Sequence, residues 1–297
     1  MKKLAYLILV HSDAQQFGKL INSLGENCDI YVHVDKKAEI TPFLQIAGGK
    51  NVIFAKSRVS ISWAGISMID AQNILLIDAL NNKERYSHLI FLSGSCYPIK
   101  NQKEIYETIT KYPQREFIKF IDMRESPGHY MKQIKRKWFN EPLLSENWPL
   151  SHNPEKILRK IATKFNFINR WNDAVIPCFG SQWCALTVDC CQHIIDYQRN
   201  NPWYREMNRL TFSPDEHYYH TIVGNSPYAD MSDGVQHFEG RGTWRLANFH
   251  IIDETLAKWF TIRDWDQIAT SDKLFVRKVR TLDGTELVAR INQEILS

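Results

Sequence analysis

Residues 4–10 read LAYLILV, and the polar HSDAQQF of residues 11–17 follows at once. Behind Lys2 and Lys3, this short apolar run resembles the core of a signal peptide. It lacks a small-residue cleavage site, however, and is far too short to span a membrane. The alternative is a strand buried on both faces, and the residues that follow select it. Phe17, Leu20, Ile21 and Leu24 share one face of a helix that Gly25 is placed to end. Ile30, Val32 and Val34 then alternate as a second strand, and Val52–Phe54 is a short third.

The alternation continues through the first third of the chain. Residues 68–80 (MIDAQNILLIDAL) read as a strongly amphipathic helix and 86–92 (YSHLIFL) as another buried strand. Asn101 opens a helix with Glu104 at the capping-box position, and 116–121 (EFIKFI) completes the pattern. Such alternation predicts an α/β fold with a largely parallel twisted central sheet. Ligands of these folds bind beyond the carboxyl ends of the strands. Val10, His11 and Ser12, residues 35–37 (DKK) and residues 93–100 (SGSCYPIK) stand there. None of these stretches carries a GxGxxG or Walker glycine pattern, which argues against the usual dinucleotide fingerprint and a P-loop.

The second half is less regular. Residues 132–139 (KQIKRKWF) read as a solvated basic surface segment. Residues 180–186 (GSQWCAL) read as a strand entered through a tight turn, with a helix from Asp189. Without repeats or low-complexity linkers, residues 1–297 read as a single domain, with a nucleotide-binding half over 1–125 and an acceptor and catalytic half over 126–297.

Composition narrows the function. The net charge of +4 and a pI near 8.6 argue against nucleic acid as a partner but leave room for a local anion site. Six cysteines without a CxxC pair fit reduced thiols in a cytosolic protein. No run of about 18 apolar residues predicts a transmembrane segment.

Residues 211–220 (TFSPDEHYYH) gather two carboxylates and two histidines. Three readings stand side by side: a metal site, a catalytic base, or the start of a helix. For the helix, Ser213 is a good N-cap, Pro214 suits the first position and Glu216 completes a capping box. For a metal-dependent hydrolase, Asp215, Glu216, His217 and His220 are the available ligands. The HExxH order is absent, and residues two apart on a helix, such as Asp215 and His217, point away from each other. A second metal candidate is the DWD at residues 264–266.

Seven stretches together resemble the core-2/I-branching β-1,6-N-acetylglucosaminyltransferases and the related peptide O-xylosyltransferases (glycosyltransferase family 14), here as a bacterial-type member. They are AYLILVHSD (5–13), YVHVDKK (31–37), VSISWAG (59–65), FLSGSCYPIKN (91–101), GSQWCALT (180–187), SPDEHYYHTIVGNSP (213–227) and LFVRK (274–278). The resemblance implies a nucleotide-diphospho-sugar transferase of the GT-A type. Its donor would be a UDP-sugar, GlcNAc first and xylose second, and its acceptor a carbohydrate or glycoconjugate hydroxyl. Transfer would proceed with inversion and without a divalent metal or other cofactor.

Inverting transfer needs one base for the acceptor proton and fixed positive charge for the departing diphosphate. The resemblance puts the base at Glu216, which a helix N-terminus would hold ionised by about 0.3–1 kcal/mol. It puts the cations at Arg277 and Lys278, with Arg245 or Arg263 as a further phosphate contact. Val10, His11 and Asp35 would hold the nucleoside, with a buried structural role the alternative for His11. Trp63, Gln182, Trp183 and Asp215 would line the sugar and acceptor side, with a core role the alternative for the first three. Cys96 stands where the family usually has Asp. The location implied is cytoplasmic, or peripheral to the inner face of a membrane. A non-catalytic nucleotide-sugar-binding protein is the remaining alternative.

Overall fold

In the computed structural model, which describes residues 2–25, 27–48, 51–142, 161–162, 164–165 and 167–297, the LAYLILV run lies at the heart of a sheet. The strands are β1 Lys3–Val10, β2 Cys28–Val34, β3 Val52–Phe54, β4 Tyr86–Ser93, β5 Cys96–Pro98, β6 Phe120–Asp122, β7 Cys178–Phe179, β8 Ala185–Thr187, β9 Val235–Gln236, β10 His250–Ile252 and β11 Phe275–Arg277. The helices used below are α1 Ala14–Ser23, α2 Thr41–Ile46, α3 Ser67–Leu80, α4 Gln102–Thr110, α5 Tyr130–Lys135, α6 Val188–Asn200, α7 Pro202–Asn208, α8 Tyr218–Gly224, α9 Trp265–Ala269 and α10 Thr281–Ile291.

The main sheet has the order β3-β2-β1-β4-β8, parallel except for β8, which runs antiparallel to β4. Strand β1 is hydrogen-bonded on both edges and covered on both faces. Ala5, Leu7 and Leu9 pack with residues of α3, α6 and α8, whereas Leu4, Tyr6, Ile8 and Val10 pack with residues of α1 and α4. A strand buried on both faces has no polar side to show, which is why its sequence is a continuous apolar run rather than an alternating one. The stretch that resembles a signal peptide is therefore the central strand.

Two smaller sheets complete an α/β fold with mixed sheets. One has the order β10-β11-β5, with β11 parallel to β10 and antiparallel to β5; the other has the order β7-β6-β9. Several expectations change here. Residues 116–121 add no strand to the main sheet: only Phe120 and Ile121 enter β6, while Glu116 and Phe117 make isolated bridges to Ser232 and Ala185. Residues 180–186 divide, with only Ala185 and Leu186 in β8, because the segment before them crosses from one sheet to another. Helix α3 is apolar beyond its buried side, with Ile77 exposed among otherwise packed neighbours. The basic 132–139 segment is only partly a surface, since Gln133 and Ile134 of α5 are buried.

All six cysteines are unbridged and buried, and burial pushes the Cys28 and Cys178 thiols up to about 12. Among the described residues no helix is long and apolar enough to cross a membrane.

Glu116 joins the sheets. Its fully buried carboxyl accepts from the Thr187 backbone N–H at 2.8 Å and from the Thr187 hydroxyl at 2.5 Å, at the end of β8. Burial raises it to about 7 despite those bonds. A carboxyl with a raised folded-state pKa binds its proton more tightly when folded. The stability this adds is complete below the ordinary glutamate range and is lost as pH rises through about 7. We expect the unfolding free energy of the wild type to fall relative to Glu116→Gln between about pH 5 and about pH 8, measured by urea denaturation. A constant difference across that range would show that burial does not control this group.

Candidate active site

A cavity of about 420 Å³ opens at the carboxyl ends of β1, β2 and β4. The register of the sheet sets its rim: Val10 pairs with Val34, and Leu9 with Ser93. Val10, His11, Asp35, Trp63, Gln182, Trp183 and Arg277 all line it, although 267 positions separate the first from the last. A roomier groove of about 750 Å³ lies elsewhere, between α1, the start of α4 and the final helical turn. Lys19, Gln102 and Asn292 line it, and none of the sequence-predicted site residues does.

Arg277 reaches the cavity from β11, where it sits opposite Cys96 of β5. Its guanidinium donates to the Ser95 hydroxyl at 2.8 Å and to the Ser93 hydroxyl, and its carbon lies 4.2 Å from the centre of the Trp183 ring. Among the described residues it forms no ion pair within 4.0 Å with a carboxylate. Burial lowers its pKa, but an arginine stays protonated even so. A half-buried cation held by neutral hydroxyls retains donors and charge for an anion. Cys96, fully buried, takes the edge of this loop, with its sulfur 3.4 Å from the Ser93 backbone nitrogen.

The other cavity residues differ in how they are held. His11 is exposed, so the buried structural alternative for it does not hold. Asp35 is buried, and one of its oxygens already accepts from the backbone N–H of Lys37 at 2.9 Å and of Ile61 at 3.4 Å. Its second oxygen faces the Lys37 ammonium at 3.5 Å. Trp63 is 78% exposed, which removes a core role for it, whereas Trp183 belongs to the core and to the cavity wall at once. Gln182 is half-buried, and its side-chain oxygen has no partner.

The SPDE segment departs from the capping-box reading. Pro214, Asp215 and Glu216 form a single 3₁₀ turn, and Ser213 is left-handed (φ 48°) with no side-chain cap bond. An N-cap residue typically has extended backbone, which Ser213 does not adopt. Ser213 instead donates its N–H to the carbonyl of Ala64, itself left-handed at φ 55°, at 3.1 Å. Two non-glycine residues in this region store about 1–3 kcal/mol each. The carbonyl of Glu216 accepts from the Gly180 N–H at 2.7 Å; a Cβ on Gly180 would lie 2.2 Å from the Lys119 carbonyl, so only glycine fits.

The Glu216 carboxylate is thereby turned toward Thr243, whose hydroxyl donates to it at 2.9 Å. No helix N-terminus holds it ionised; burial and then the neighbouring Asp215 push its pKa up. Burial likewise raises Asp215, against which the charge of Arg277 acts. One Asp215 oxygen has no partner. The three groups form an electrostatic row running from the cavity through Asp215 to Glu216, which does not itself line the cavity.

Lys278 and Arg245 do not line the cavity either. The Lys278 ammonium lies 5.7 Å from the ring of Trp259, a cavity residue, and Arg280 lies across the same ring at 4.7 Å. Arg245 stacks on Trp244 at 4.4 Å and lines a separate hollow of about 110 Å³ near Gln236, on the Glu216 and Tyr130 side. Arg263 is exposed in a 3₁₀ turn. In the DWD triplet, Asp264 accepts from the Thr261 N–H at 2.9 Å and pairs with Lys258 at 2.5 Å, while Asp266 faces solvent. His220 Nε2 donates to the Ser181 carbonyl at 3.0 Å, and burial pushes His217 down to about 3. Among the described residues no three His, Cys, Asp or Glu side chains converge as metal ligands.

Sequence reasoning missed Thr243, Trp259 and Arg280, which fall in the mixed tail where no periodic pattern singles them out. It also missed Asp13. Left-handed at φ 54°, Asp13 caps α1 by accepting from the Gln16 N–H and reaches across to the Thr281 N–H at 2.7 Å. That contact docks the segment after Arg277 against the first strand's loop.

Known proteins resemble most of this chain in sequence. The Drosophila melanogaster xylosyltransferase oxt is 22% identical over 316 aligned positions, covering 99% of this chain and 32% of that protein. The human N-acetyllactosaminide β-1,6-N-acetylglucosaminyl-transferase is 24% identical over 78% of this chain and 57% of its own length. The chain thus spans about a third to just over a half of these two relatives. The apo crystal structure of mouse xyloside xylosyltransferase 1 superposes with a TM-score of 0.34 at 10% identity, over 77% of this chain and 83% of that one. The family model for the Core-2/I-Branching enzyme matches residues 4–269, and the chain therefore belongs to the Core-2/I-branching enzyme family.

Proposed function

We propose that the protein is an inverting glycosyltransferase of GT-A type that moves a sugar from a UDP-sugar to a carbohydrate hydroxyl, with GlcNAc the first donor sugar and xylose the second. The observation that carries this reading is Arg277: a half-buried guanidinium without a carboxylate partner among the described residues, held at the carboxyl ends of the parallel strands. The diphosphate of the donor would supply the missing negative charge, with Arg280 and Lys278 around Trp259 adding to the field. The uridine would lie over Val10, His11 and Asp35, and the sugar toward Trp183 and Gln182. We place the chemistry in the cytoplasm, within one domain.

In the transfer step the acceptor oxygen forms a bond to the anomeric carbon while the bond to the diphosphate oxygen breaks. The acceptor proton passes to Glu216, and the electron pair leaves with UDP. Arg277 stabilises the charge that builds on that leaving group without metal assistance. The charge of Arg277 favours the ionised form of Asp215, and Asp215 acts in turn on Glu216.

Replacing Glu216 by Gln should lower transfer by about 10²- to 10⁴-fold while leaving UDP binding intact; normal turnover would remove the assignment. Because the base must be ionised and its pKa is raised, kcat/KM should climb as pH rises from neutrality and then level off. Charge-assisted hydrogen bonds contribute about 1.5–3 kcal/mol, so Arg277→Ala should weaken UDP binding by about 10- to 100-fold in calorimetry. Arg277→Lys should recover part of that loss. Transfer should persist in excess EDTA, and a strict divalent-cation requirement would refute the cationic account. Donor that binds but is neither transferred nor hydrolysed would identify a binding protein instead.

A further inference from the structure

A ladder of aromatic rings leads away from the cavity mouth. Trp63 meets Phe212 edge-on with ring centres 5.5 Å apart, and Phe212 meets Trp138 at 4.8 Å. The next residue, Phe139, lies 6.2 Å from Phe167, which lies 6.1 Å from Phe165. The two segments are tied by the Lys137 N–H donating to the Phe167 carbonyl at 2.8 Å and by a bridge between Arg136 and Ile168. The ladder ends in water: Phe165 is 69% exposed and Ile168 79%, with Phe167 and Ile161 also exposed. Single exposed apolar residues are ordinary, but four of them within residues 161–168 mark a surface that something covers.

The charge around this surface says what covers it. Lys132, Lys135, Lys164 and Arg170 are exposed and have no ion pair among the described residues. The described residues between 130 and 170 hold six Lys or Arg against one Glu, in a chain whose whole net charge is +4. A partner must therefore be anionic and must also take up phenylalanine and isoleucine side chains. Nucleic acid satisfies the first demand and leaves the isoleucines wet, since they offer bases no flat stacking face.

We infer that this face docks on an anionic lipid bilayer, with Phe165, Ile168 and their neighbours entering the headgroup boundary and the lysines meeting lipid phosphates. The two ring groups are joined through the chain at Trp138 and Phe139, and the first of them includes Trp63 on the cavity wall. The inference rests on this surface and is independent of the proposed transfer chemistry.

The test is co-sedimentation of the full chain with vesicles of phosphatidylcholine alone or with about 30% phosphatidylglycerol, at low and high salt. Binding is expected to the anionic vesicles only and to weaken as salt rises. At about 1 kcal/mol per cation, the double variant Lys132→Gln/Lys135→Gln should bind about 30-fold more weakly. Phe165→Ser/Ile168→Ser should also lose binding, and both variants should melt like the wild type because all four side chains are exposed. Equal binding to neutral vesicles, no binding to anionic ones, or undiminished binding by either folded variant would overturn the inference. So would self-association that Phe165→Ser/Ile168→Ser abolishes in the absence of vesicle binding.

Discussion

The site depends first on β1 being locked between two parallel neighbours. Its register puts Val10 beside Val34 and Leu9 beside Ser93, so three loops leave the sheet at one level and on one side. Because the strand is covered on both faces, a slip by one residue would exchange the side chains facing α3 for those facing α1. The core that prevents this slip also fixes where His11, Asp35 and Ser93 stand. Everything brought in later by the second half of the chain, from Trp183 to Arg277, meets a rim already set by packing.

The second constraint is electrostatic. Arg277 is half-buried with no carboxylate among the described residues at contact distance, and Asp215 and Glu216, on which its charge bears in turn, are both pushed by burial to resist ionising. Each group is uncomfortable alone, and together they form a row whose charges can be rebalanced by an anion entering at one end and a proton leaving or arriving at the other. Perturbed ionisation of this kind clusters at functional sites, and structural ion-pair networks show it too.

Strands β1 to β4 and helix α3 are legible in the sequence to within two residues, because apolar runs report directly on burial, whereas α2, β5 and the true extent of the strand near residue 120 are not. The two capping boxes show where such reading stops. Asn101 and Glu104 form theirs in full, with Asn101 extended and its neighbours at the surface. Ser213 and Glu216 carry the same local pattern, but the Ala64 carbonyl holds the Ser213 N–H and turns the backbone left-handed. A contact across 149 positions outweighs a local preference, and no periodicity announces it. The same holds for the tail. Resemblance could single out Arg277 there, whereas the stacking of Lys278 and Arg280 on Trp259 is visible only in three dimensions.

The hydroxyls that hold Arg277 stand 184 and 182 positions before it, and the Asp13 to Thr281 tie spans 268. A chain emerging from the ribosome can therefore complete β1, β2 and β4 with their helices long before the cavity gains its central cation. Contacts of such sequence separation form slowly and late. A product stopped before β11 would lack the central cation, so the ability to hold an anionic ligand reports on synthesis through Arg277.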